Sequence, residues 1–379
     1  MVESMGRKLL AGTAAASAAA ASFQSYWSVR RLRQTRTPTA SVHDPVPVRE
    51  GPQRVALILN PSKPRASSVR ALVEKACSDA GWEPPLVLET TVEDPGTGQA
   101  ERALSVGADV VIAAGGDGTV RAVARALAHG PASLGLLPLG TGNLLVRNLG
   151  LPYHDVAGCL ALALHGHERR IDAASITLCN ERTGATSEHP FLVMGGVGFD
   201  ASVMADTKQD LKAKYGWLAY SEAGARHLPG RRRRISISLD GGHPQSRKIR
   251  SLLVANCGKL PAGVDFVPDA VIDDGSLDVV VLSPRSLIGW TWMAAKILLR
   301  HRGGIPVLNY YRAREITVWS AEPIATQLDG DPSGSITKLT ARVNPHALMV
   351  RVPGPAPGPS GSTALSRRRL ADFRRGIPA

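Results

Sequence analysis

The sequence predicts an α/β domain with a parallel sheet, followed by a domain built mainly of antiparallel strands. Two observations lead to this fold class. From residue 55 to about residue 168, apolar runs of strand length alternate with segments whose apolar residues recur at helical spacing. After residue 168 helical stretches become rare, and short β-rich runs separated by turn residues take over. Alternating strands and helices favour a parallel sheet covered on both faces, whereas consecutive short strands favour antiparallel pairing.

The first domain, residues 55–168, is expected to consist of strands joined by helices. In chain order we expect a strand Val55–Leu59, a helix over 66–80, a strand over 86–92, a helix over 97–106, a strand from Val110, a helix from Val120 to His129 and a strand from Leu134. Gly81 and Gly107 follow the first two helices, a position where glycine commonly ends a helix.

Polar and glycine residues stand at three strand ends of this domain: Asn60, the first glycine turn Gly115-Gly116-Asp117-Gly118-Thr119, and the second glycine turn Gly140-Thr141-Gly142-Asn143. The carboxyl ends of parallel strands share one edge of the sheet, where ligands of such sheets bind. Glycine lets a ligand approach the backbone, and the start of the next helix offers N–H groups that favour an anion. Asp117 would repel a phosphate unless a cation or a sugar hydroxyl lay between them. We therefore expect a phosphate site with a divalent metal nearby; the alternative is a plain connecting turn.

The second domain, residues 169–352, is expected to be mainly antiparallel, with its last strands packing back on the first domain. The runs that predict its strands are 174–178, 191–194, 235–239, 251–255, 277–282, 315–319, 341–343 and 348–352. Two helical inserts are predicted near 208–226 and 284–301.

Positive charge is concentrated at the two ends of the chain. Of the net charge of +13, residues 1–54 carry +5 and residues 353–379 carry +4, so the central part is only mildly basic. Basic ends suit an anionic membrane surface or a nucleic acid, or are simply solvated tails. Because only 4% of the residues are aromatic and no zinc-ligand spacing or nucleic-acid module is visible, nucleic acid is not expected as a partner.

The segments outside the two domains carry weaker signals. Residues 9–23 are alanine-rich and are followed by Tyr26, Trp27 and arginines, a pattern shared by secretion signals and interfacial anchors. Loose membrane association and disorder both remain open for the N-terminal segment 1–54. Residues 36–53 contain four prolines and are expected to form a linker, and the tail 353–379 is expected to be disordered. The four cysteines show no C-x-x-C pairing, which fits a reducing compartment.

A series of motifs resembles the catalytic family of the diacylglycerol kinases, which includes bacterial lipid kinases and sphingosine kinases and is related to the NAD kinases. The motifs are, in order, Asn60-Pro61, Gly115–Thr119, Pro138–Asn143, Gly196–Asp200, Pro268–Val279 and Leu328–Asp331. The resemblance covers about residues 53–352. The first glycine turn alone would also admit an NAD kinase, whereas the two downstream aspartate-rich motifs favour a lipid kinase.

The resemblance implies a Rossmann-like three-layer α/β nucleotide domain and an antiparallel β-sandwich domain, with a nucleotide cleft between them. It implies ATP and Mg²⁺ as cofactors and a lipid hydroxyl as acceptor. By motif match, ATP would be held by Asn60, Gly115, Gly116, Asp117, Gly118, Thr119, Gly140, Thr141, Gly142 and Asn143. Asp329 would be the general base, Asp274 and Asp331 would serve the magnesium site, and Asp200 belongs to a further family motif.

Structural roles compete with functional ones at several of these residues. Asp329-Gly330 and Asp274-Gly275 each fit an ordinary turn, and Asp200 fits a helix N-cap. The run Arg231–Arg234 either faces lipid headgroups or forms a solvated edge that blocks strand pairing.

We therefore expect an ATP-dependent lipid kinase that acts on a diacylglycerol-like substrate. We expect it to be cytoplasmic and peripherally associated with the inner membrane face through its basic ends, and a homodimer is compatible with the sequence. The alternatives are a kinase of NAD or of a soluble polyol, a nucleotide-binding module without catalysis, and a nucleic-acid binder that uses the basic ends.

Overall fold

The computed structural model describes residues 45–48, 51–198, 232–260, 265–267, 269–283, 308–329 and 331–354. The predicted helical inserts near 208–226 and 284–301, the alanine-rich N-terminal stretch and the C-terminal tail from residue 355 lie outside these ranges.

In the α/β part of the chain, the elements between residues 55 and 138 follow the predicted order, and the structure adds a short strand before them and two helices after them. Its strands are β1 (Val46–Pro47), β2 (Val55–Leu59), β3 (Leu86–Glu89), β4 (Val110–Gly115) and β5 (Ser133–Pro138). Its helices are α1 (Ala66–Asp79), α2 (Thr97–Ser105), α3 (Asp117–Leu127), α4 (Leu144–Asn148) and α5 (Val156–His165). Every residue of β2, β4 and β5 is buried, which explains their nearly continuous apolar sequences.

The helices use their apolar spacing to cover the sheet. On α1, the buried residues Val69, Val73 and Cys77 recur every four positions and form one face. On α3, Val120, Val123 and Leu127 are spaced by three and four positions and likewise form one buried face. Full burial of one such aliphatic side chain stabilises the fold by roughly 1.5–3 kcal/mol, so these two faces fix both helices on the sheet.

The parallel strands have the order β3-β2-β4-β5. The chain moves from β2 to β3 in one direction and then crosses to β4 on the other side of β2. Because such crossovers are right-handed, α1 and α2 lie on opposite faces of the sheet; α2 packs against α3, and α1 packs against α5. The reversal opens a crevice at the carboxyl ends of β2 and β4, which is where Asn60 and the first glycine turn begin.

In the second part of the chain, the strands pair with one another in antiparallel fashion throughout the described residues. Its strands are β6 (His167–Asn180), β7 (Ala185–Phe191), β8 (Met194–Val197), β9 (Arg233–Leu239), β10 (Gln245–Ile249), β11 (Ser251–Ala255), β12 (Leu277–Leu282), β13 (Leu308–Ala313), β14 (Glu315–Leu328) and β15 (Asp331–Val352). One series runs β13-β12-β11-β8-β14-β15, while β9 and β10 extend from β14, and β6 and β7 extend from β15. Near its end β15 turns to the first sheet, where Val350 pairs in parallel with Leu134 of β5.

The side chains of the antiparallel strands alternate between two hydrophobic cores. On β11, Leu252 and Val254 join a core formed between the antiparallel strands. Leu253 and Ala255 point the other way and join the core of the α/β part. This alternation explains why the whole of β11 is apolar, and it confirms the predicted fold class of an α/β domain joined to a β-sandwich.

Several element boundaries differ from the sequence-based expectation. The run 191–194 is not one strand, because the chain bends at Leu192 and Val193 between β7 and β8. The runs 341–343 and 348–352 are one strand, β15, whose register against β6 shifts between Asn344 and Leu348. β3 ends at Glu89 instead of residue 92, and β14 continues well past residue 319. The stretch predicted as a linker contains β1, which pairs with Glu168 and His167 of β6.

Among the helices of the described ranges, none is both long enough and apolar enough to cross a bilayer.

Candidate functional site

The two glycine turns lie against each other at the end of the parallel sheet. The backbone N–H of Leu139 donates to the carbonyl of Gly115 over 2.9 Å, so β5 follows β4 to its last residue. A Cβ atom on Gly140 would lie only 2.7 Å from the Cα of Gly116. Position 140 therefore needs glycine for the two backbones to approach this closely, whereas a Cβ atom on Gly116 would lie at an ordinary 3.7 Å from the Cα of Gly140.

The first glycine turn leads directly into a helix. α3 begins at Asp117, with Gly116 as its extended N-cap residue. The first N–H groups of a helix have no partner within it, and they point out of the end that carries positive partial charge. A Cβ atom on Gly118 would have no heavy atom within 4 Å, so the space in front of this turn is open.

Asn143 closes the second glycine turn. Its side-chain amide donates to the carbonyl of Gly140 over 2.7 Å, and its Oδ1 accepts from the N–H of Gly140 at 3.2 Å. The backbone of Asn143 is left-handed, with a φ of 46°, a conformation that asparagine tolerates better than most residues. This ring of hydrogen bonds fixes the turn and leaves the side chain of Thr141 exposed.

Asp117 joins the two glycine turns. Its Oδ1 accepts from the N–H of Leu144 at 2.6 Å, and its Oδ2 would lie 2.4 Å from a Cβ atom on Gly142. Burial raises the pKa of Asp117 to about 6; the Leu144 hydrogen bond opposes the shift, and the negative charges of Asp329 and Asp331 add to it. Asp117 therefore lies close enough to the turn between β14 and β15 to interact electrostatically with Asp329 and Asp331.

The other predicted nucleotide-binding residues lie at the same edge. The N–H of Asn60 donates to the carbonyl of Ala114 over 2.9 Å, which holds Asn60 beside the end of β4. Its side-chain oxygen accepts from the N–H and the hydroxyl of Ser62, at 3.1 and 2.7 Å. Thr119 is buried beneath the first glycine turn. The structure therefore brings together all ten residues that the sequence predicts for nucleotide binding.

Asp329 occupies the tight turn between β14 and β15. Leu328 pairs with Asp331 across this turn, and Asp329 is left-handed with a φ of 47°. Its Oδ1 accepts from the N–H groups of Val193 and Met194, at 3.1 and 3.0 Å. The bend between β7 and β8 aims both amides at the carboxylate. Asp329 is therefore a turn residue of a hairpin, and its carboxylate is also buried and held in place by hydrogen bonds.

Arg121 connects Asp329 to the first glycine turn. It is the fourth residue after Asp117, so it lies one turn further along α3 on the same face. Its Nη1 lies 3.4 Å from Oδ2 of Asp329, and its Nη2 lies 3.2 Å from Oδ2 of Asp331. Burial raises the pKa of Asp329, and the positive charge of Arg121 is the largest influence against that shift. Arg121 is not among the site residues predicted from the sequence; the available signal is its helical spacing from Asp117, which places both on one face of α3.

Asp274 belongs to a different group of charged residues. Its Oδ1 accepts from the N–H of Ser276 at 3.0 Å, and its Oδ2 lies 3.2 Å from Nη1 of Arg312. The same arginine contacts Asp278 at 3.5 Å. The buried Asp172 supports this turn by accepting from the N–H of Gly275 at 2.7 Å. The contacts of Asp274 are thus made with this second group and not with the glycine turns, and its role at a metal stays a prediction.

The remaining predicted site residue is Asp200, which lies outside the described residues.

The residues at the glycine turns fit a magnesium ion shared with phosphate oxygens. Within the described ranges, no group of three or more acidic, histidine or cysteine side chains forms a protein-only metal cage. Magnesium is typically bound through one or two carboxylates together with substrate phosphates and water. The negative charges of Asp329 and Asp331 help to raise the pKa of Asp117, and Arg121 contacts only two of these three carboxylates, so negative charge is left for a cation to offset. The side chain of Asp331 is 63% exposed and remains accessible to a cation.

Comparison with known families agrees with this geometry. Residues 54–176 match the family described as diacylglycerol kinase catalytic domain. Residues 194–352 match the family described as YegS C-terminal NAD kinase beta sandwich-like domain. The two matches cover the segments that contribute the glycine turns and Asp329, respectively.

Individual relatives extend over most of the chain. A Pseudomonas aeruginosa protein named "Probable lipid kinase YegS-like" is 34% identical over 316 residues, which are 80% of this chain and 96% of that protein. A protein of the same name from Pseudomonas syringae pv. tomato is 33% identical, over 83% of this chain and 98% of its own length.

Among solved structures, a diacylglycerol kinase from Bacillus anthracis has the same fold. It superposes with a TM-score of 0.63 at 23% identity, over 80% of this chain and 98% of that chain. The family matches and the curated relatives together lead to one conclusion: the chain belongs to the family of YegS-like lipid kinases with a diacylglycerol kinase catalytic domain.

Proposed function

We propose that this lipid kinase transfers the γ-phosphoryl group of ATP to the hydroxyl group of a diacylglycerol-like lipid. One observation carries the proposal: Arg121 links the helix that starts at the first glycine turn to Asp329, a buried carboxylate from the β-sandwich. Phosphate-binding backbone and a fixed carboxylate therefore face the same crevice. Transfer of a phosphoryl group to a hydroxyl needs both, because the phosphate must be aligned and the hydroxyl must lose its proton.

In this proposal the two glycine turns hold the triphosphate. The N–H groups of the first turn of α3 bind phosphate oxygens, and the open space in front of Gly118 lets the chain of phosphates come close. Asn143 and Asp117 keep the turns in register. Asn60 lies beside them and borders the crevice at the end of β2.

Asp329 is the proposed general base. Its Oδ1 accepts from the N–H groups of Val193 and Met194, whereas its Oδ2 lies on the side of Arg121, at a long 3.4 Å from Nη1. Oδ2 can therefore accept a proton from the lipid hydroxyl. A carboxyl whose pKa is raised by burial is a better base than an exposed one.

Magnesium, when bound, would offset the charge of the transferred phosphate. Asp331 is the proposed ligand next to the glycine turns, because its carboxylate is exposed and is near Asp117. Asp274 is proposed as a further ligand on the family resemblance. We also propose that the basic ends of the chain hold the enzyme at an anionic membrane face.

The proposal is tested with the full-length protein, ATP labelled at the γ-phosphate, Mg²⁺ and diacylglycerol in mixed micelles. We expect label in the organic extract with the wild type and with Asp79→Asn, a control on the exposed face of α1. We expect at least about a hundredfold less with Asp329→Asn, since removal of a general base costs typically 10²–10⁴-fold in rate.

Two results would contradict the proposal. Label that stays in the aqueous phase when NAD or a polyol is supplied would identify a kinase of a soluble acceptor. Tight ATP binding with no turnover on any acceptor would identify a binding module. If instead the label enters the organic extract, mass spectrometry of lipids from cells with and without the protein identifies the acceptor lipid.

A further inference from the structure

Two neighbouring strands of the β-sandwich place like charges directly opposite each other. In the antiparallel pair β9–β10, Arg234 is the register partner of Lys248, and both side chains are exposed. Like charges in directly opposed positions destabilise a sheet. Within the described ranges, neither side chain has a carboxylate at ion-pair distance. Folding alone therefore does not account for this pair.

More positive charge adjoins the pair. Arg232 lies two residues before Arg234, hence on the same face of the strand, and its guanidinium donates to the carbonyl of Lys248. Arg250 follows Lys248 by two residues, and burial, and after it the positive charge of Arg232, lower the pKa of Arg250. Four cations thus cluster where β9 and β10 meet β11.

The same face continues onto the next strands with an aromatic residue and another cation. Ser236, two residues after Arg234, pairs with Trp319 of β14, and Trp319 pairs with Lys338 of β15. Trp319 is half-buried, with part of its ring on this surface. β14 carries two acidic residues: Glu315, which is paired with Arg342 at 2.8 Å, and the exposed Glu322, which lies in the stretch after Trp319 where the register against β15 shifts. We call the surface of Arg232, Arg234, Lys248, Trp319 and Lys338 the basic face.

Protection of a sheet edge does not explain the arginines. β9 has β10 on one side and β14 on the other, so Arg234 lies on an interior strand. Only Lys248, on β10, stands on an edge strand of the described sheet. The sequence left two roles open for the run Arg231–Arg234: contact with lipid headgroups, or a solvated edge that blocks strand pairing. The interior position of β9 favours contact with headgroups.

We propose that the basic face docks the enzyme on an anionic lipid bilayer; this inference rests on the proposed action on a membrane lipid. Charge complementarity identifies the occupant: Arg234, Lys248 and Lys338 form no ion pair with a carboxylate of the described residues, and such cations attract anionic headgroups. The indole of Trp319 matches the preference of tryptophan for the boundary between headgroups and acyl chains. Docking through this face relieves the repulsion between Arg234 and Lys248.

The test is the single reversal Lys248→Glu in the full-length protein. It converts the repelling pair into an attractive cross-strand pair and keeps a charge on the edge strand. We expect the Tm to rise, while binding to vesicles that contain 30% phosphatidylserine falls at least about fivefold, since each cation near such a surface contributes about 1 kcal/mol. Arg102→Glu, an exposed position on α2, changes the net charge equally and is expected to leave vesicle binding within about twofold of the wild type.

Opposite changes of Tm and vesicle binding separate docking from a purely structural role. Equal loss of binding in Lys248→Glu and Arg102→Glu would overturn the proposal, because it would reflect net charge only. Unchanged vesicle binding in Lys248→Glu would overturn it as well, and if the variant lost affinity for duplex DNA instead, the basic face would be a nucleic-acid surface.

The activity of Lys248→Glu on diacylglycerol in neutral detergent micelles is expected to stay at the wild-type level. Loss of docking therefore leaves the proposed kinase reaction intact, and failure of that reaction would show in the micelle assay.

Discussion

Arg121 and Asp329 are 208 residues apart in the sequence, and their side chains meet at 3.4 Å. The arginine lies on α3, directly after the first glycine turn, and the aspartate lies in the turn between β14 and β15. The contact joins the two family-matched segments of the chain at the crevice. Arg121 also contacts Asp331, at 3.2 Å, so one side chain holds both carboxylates of the turn.

Removal of Arg121 should lower activity more than it lowers nucleotide binding. In Arg121→Ala the carboxylate of Asp329 loses its nearest positive charge, so we expect kcat to fall by about 10- to 100-fold, part of the 10²–10⁴-fold that a positioned base contributes. Arg121→Lys keeps the charge but loses the fork that spans two carboxylates, and an intermediate kcat is expected. Steady-state kinetics with varied ATP measures the effect. A change in the KM for ATP alone would contradict this role for Arg121.

The contact between the glycine turns predicts a loss of nucleotide affinity in Gly140→Ala. The added Cβ would lie 2.7 Å from the Cα of Gly116, and both atoms are fixed to backbone. The turns must then move apart, and we expect the Kd for ATP to rise at least about tenfold, equivalent to about 1.4 kcal/mol. Isothermal titration calorimetry checks the Kd, and circular dichroism checks that the fold persists.

Gly118→Ala is the informative comparison. The new methyl group meets nothing in the protein within 4 Å, and alanine favours a helix over glycine by up to about 1 kcal/mol. We expect the ligand-free protein to be at least as stable as the wild type and ATP to bind more weakly. If ATP bound equally well, the phosphates would not occupy the space in front of Gly118.

The raised pKa of Asp117 predicts an acid limit of activity. Burial is the main cause of the shift to about 6, and the charges of Asp329 and Asp331 add to it. If the ionised form is needed, kcat/KM for ATP should fall as the pH drops through about 6 and should level off above it. Activity measured between pH 5 and 8 tests this. The same acid limb in Asp117→Asn would assign the limit to another group.

The buried Asp278 predicts a pH-dependent gain of stability in Asp278→Asn. Burial raises the pKa of Asp278 from 3.8 to about 6, although Arg312 opposes the shift. Because the folded pKa is raised, the contribution of Asp278 to stability is complete below pH 3.8 and is lost as the pH rises through about 6. Relative to the wild type, the free energy of unfolding of Asp278→Asn should therefore increase between pH 4 and pH 8, by at most about 3 kcal/mol at 1.4 kcal/mol per pKa unit.

Urea denaturation of both proteins at pH 4, 6 and 8 measures this difference. A constant difference across that range would show that Asp278 does not titrate there. Asp79→Asn, on the exposed face of α1, is the matched control and should show little pH dependence.

The sequence by itself determined the order of elements from β2 to β5, the fold class and the residues of both glycine turns. These features are local: an apolar run of strand length, a helical repeat and glycines between them are readable over a few residues. The rule that parallel strands end at one edge then brought Asn60 and the glycine turns together. The exact ends of β3, β14 and β15 could not be read in this way, because bulges and cross-strand pairing decide where a strand stops.

Only the tertiary structure decided which charges face one another. Arg121 is part of the site because β14 and β15 bring Asp329 to α3. Val193 and Met194 are part of it because the chain bends between β7 and β8, so that their N–H groups donate to the carboxylate of Asp329. Asp274 is grouped with Arg312 and Asp278 for the same reason. Contacts between residues far apart in the chain depend on how the strands pair and pack, and the pattern of any short stretch does not contain that information.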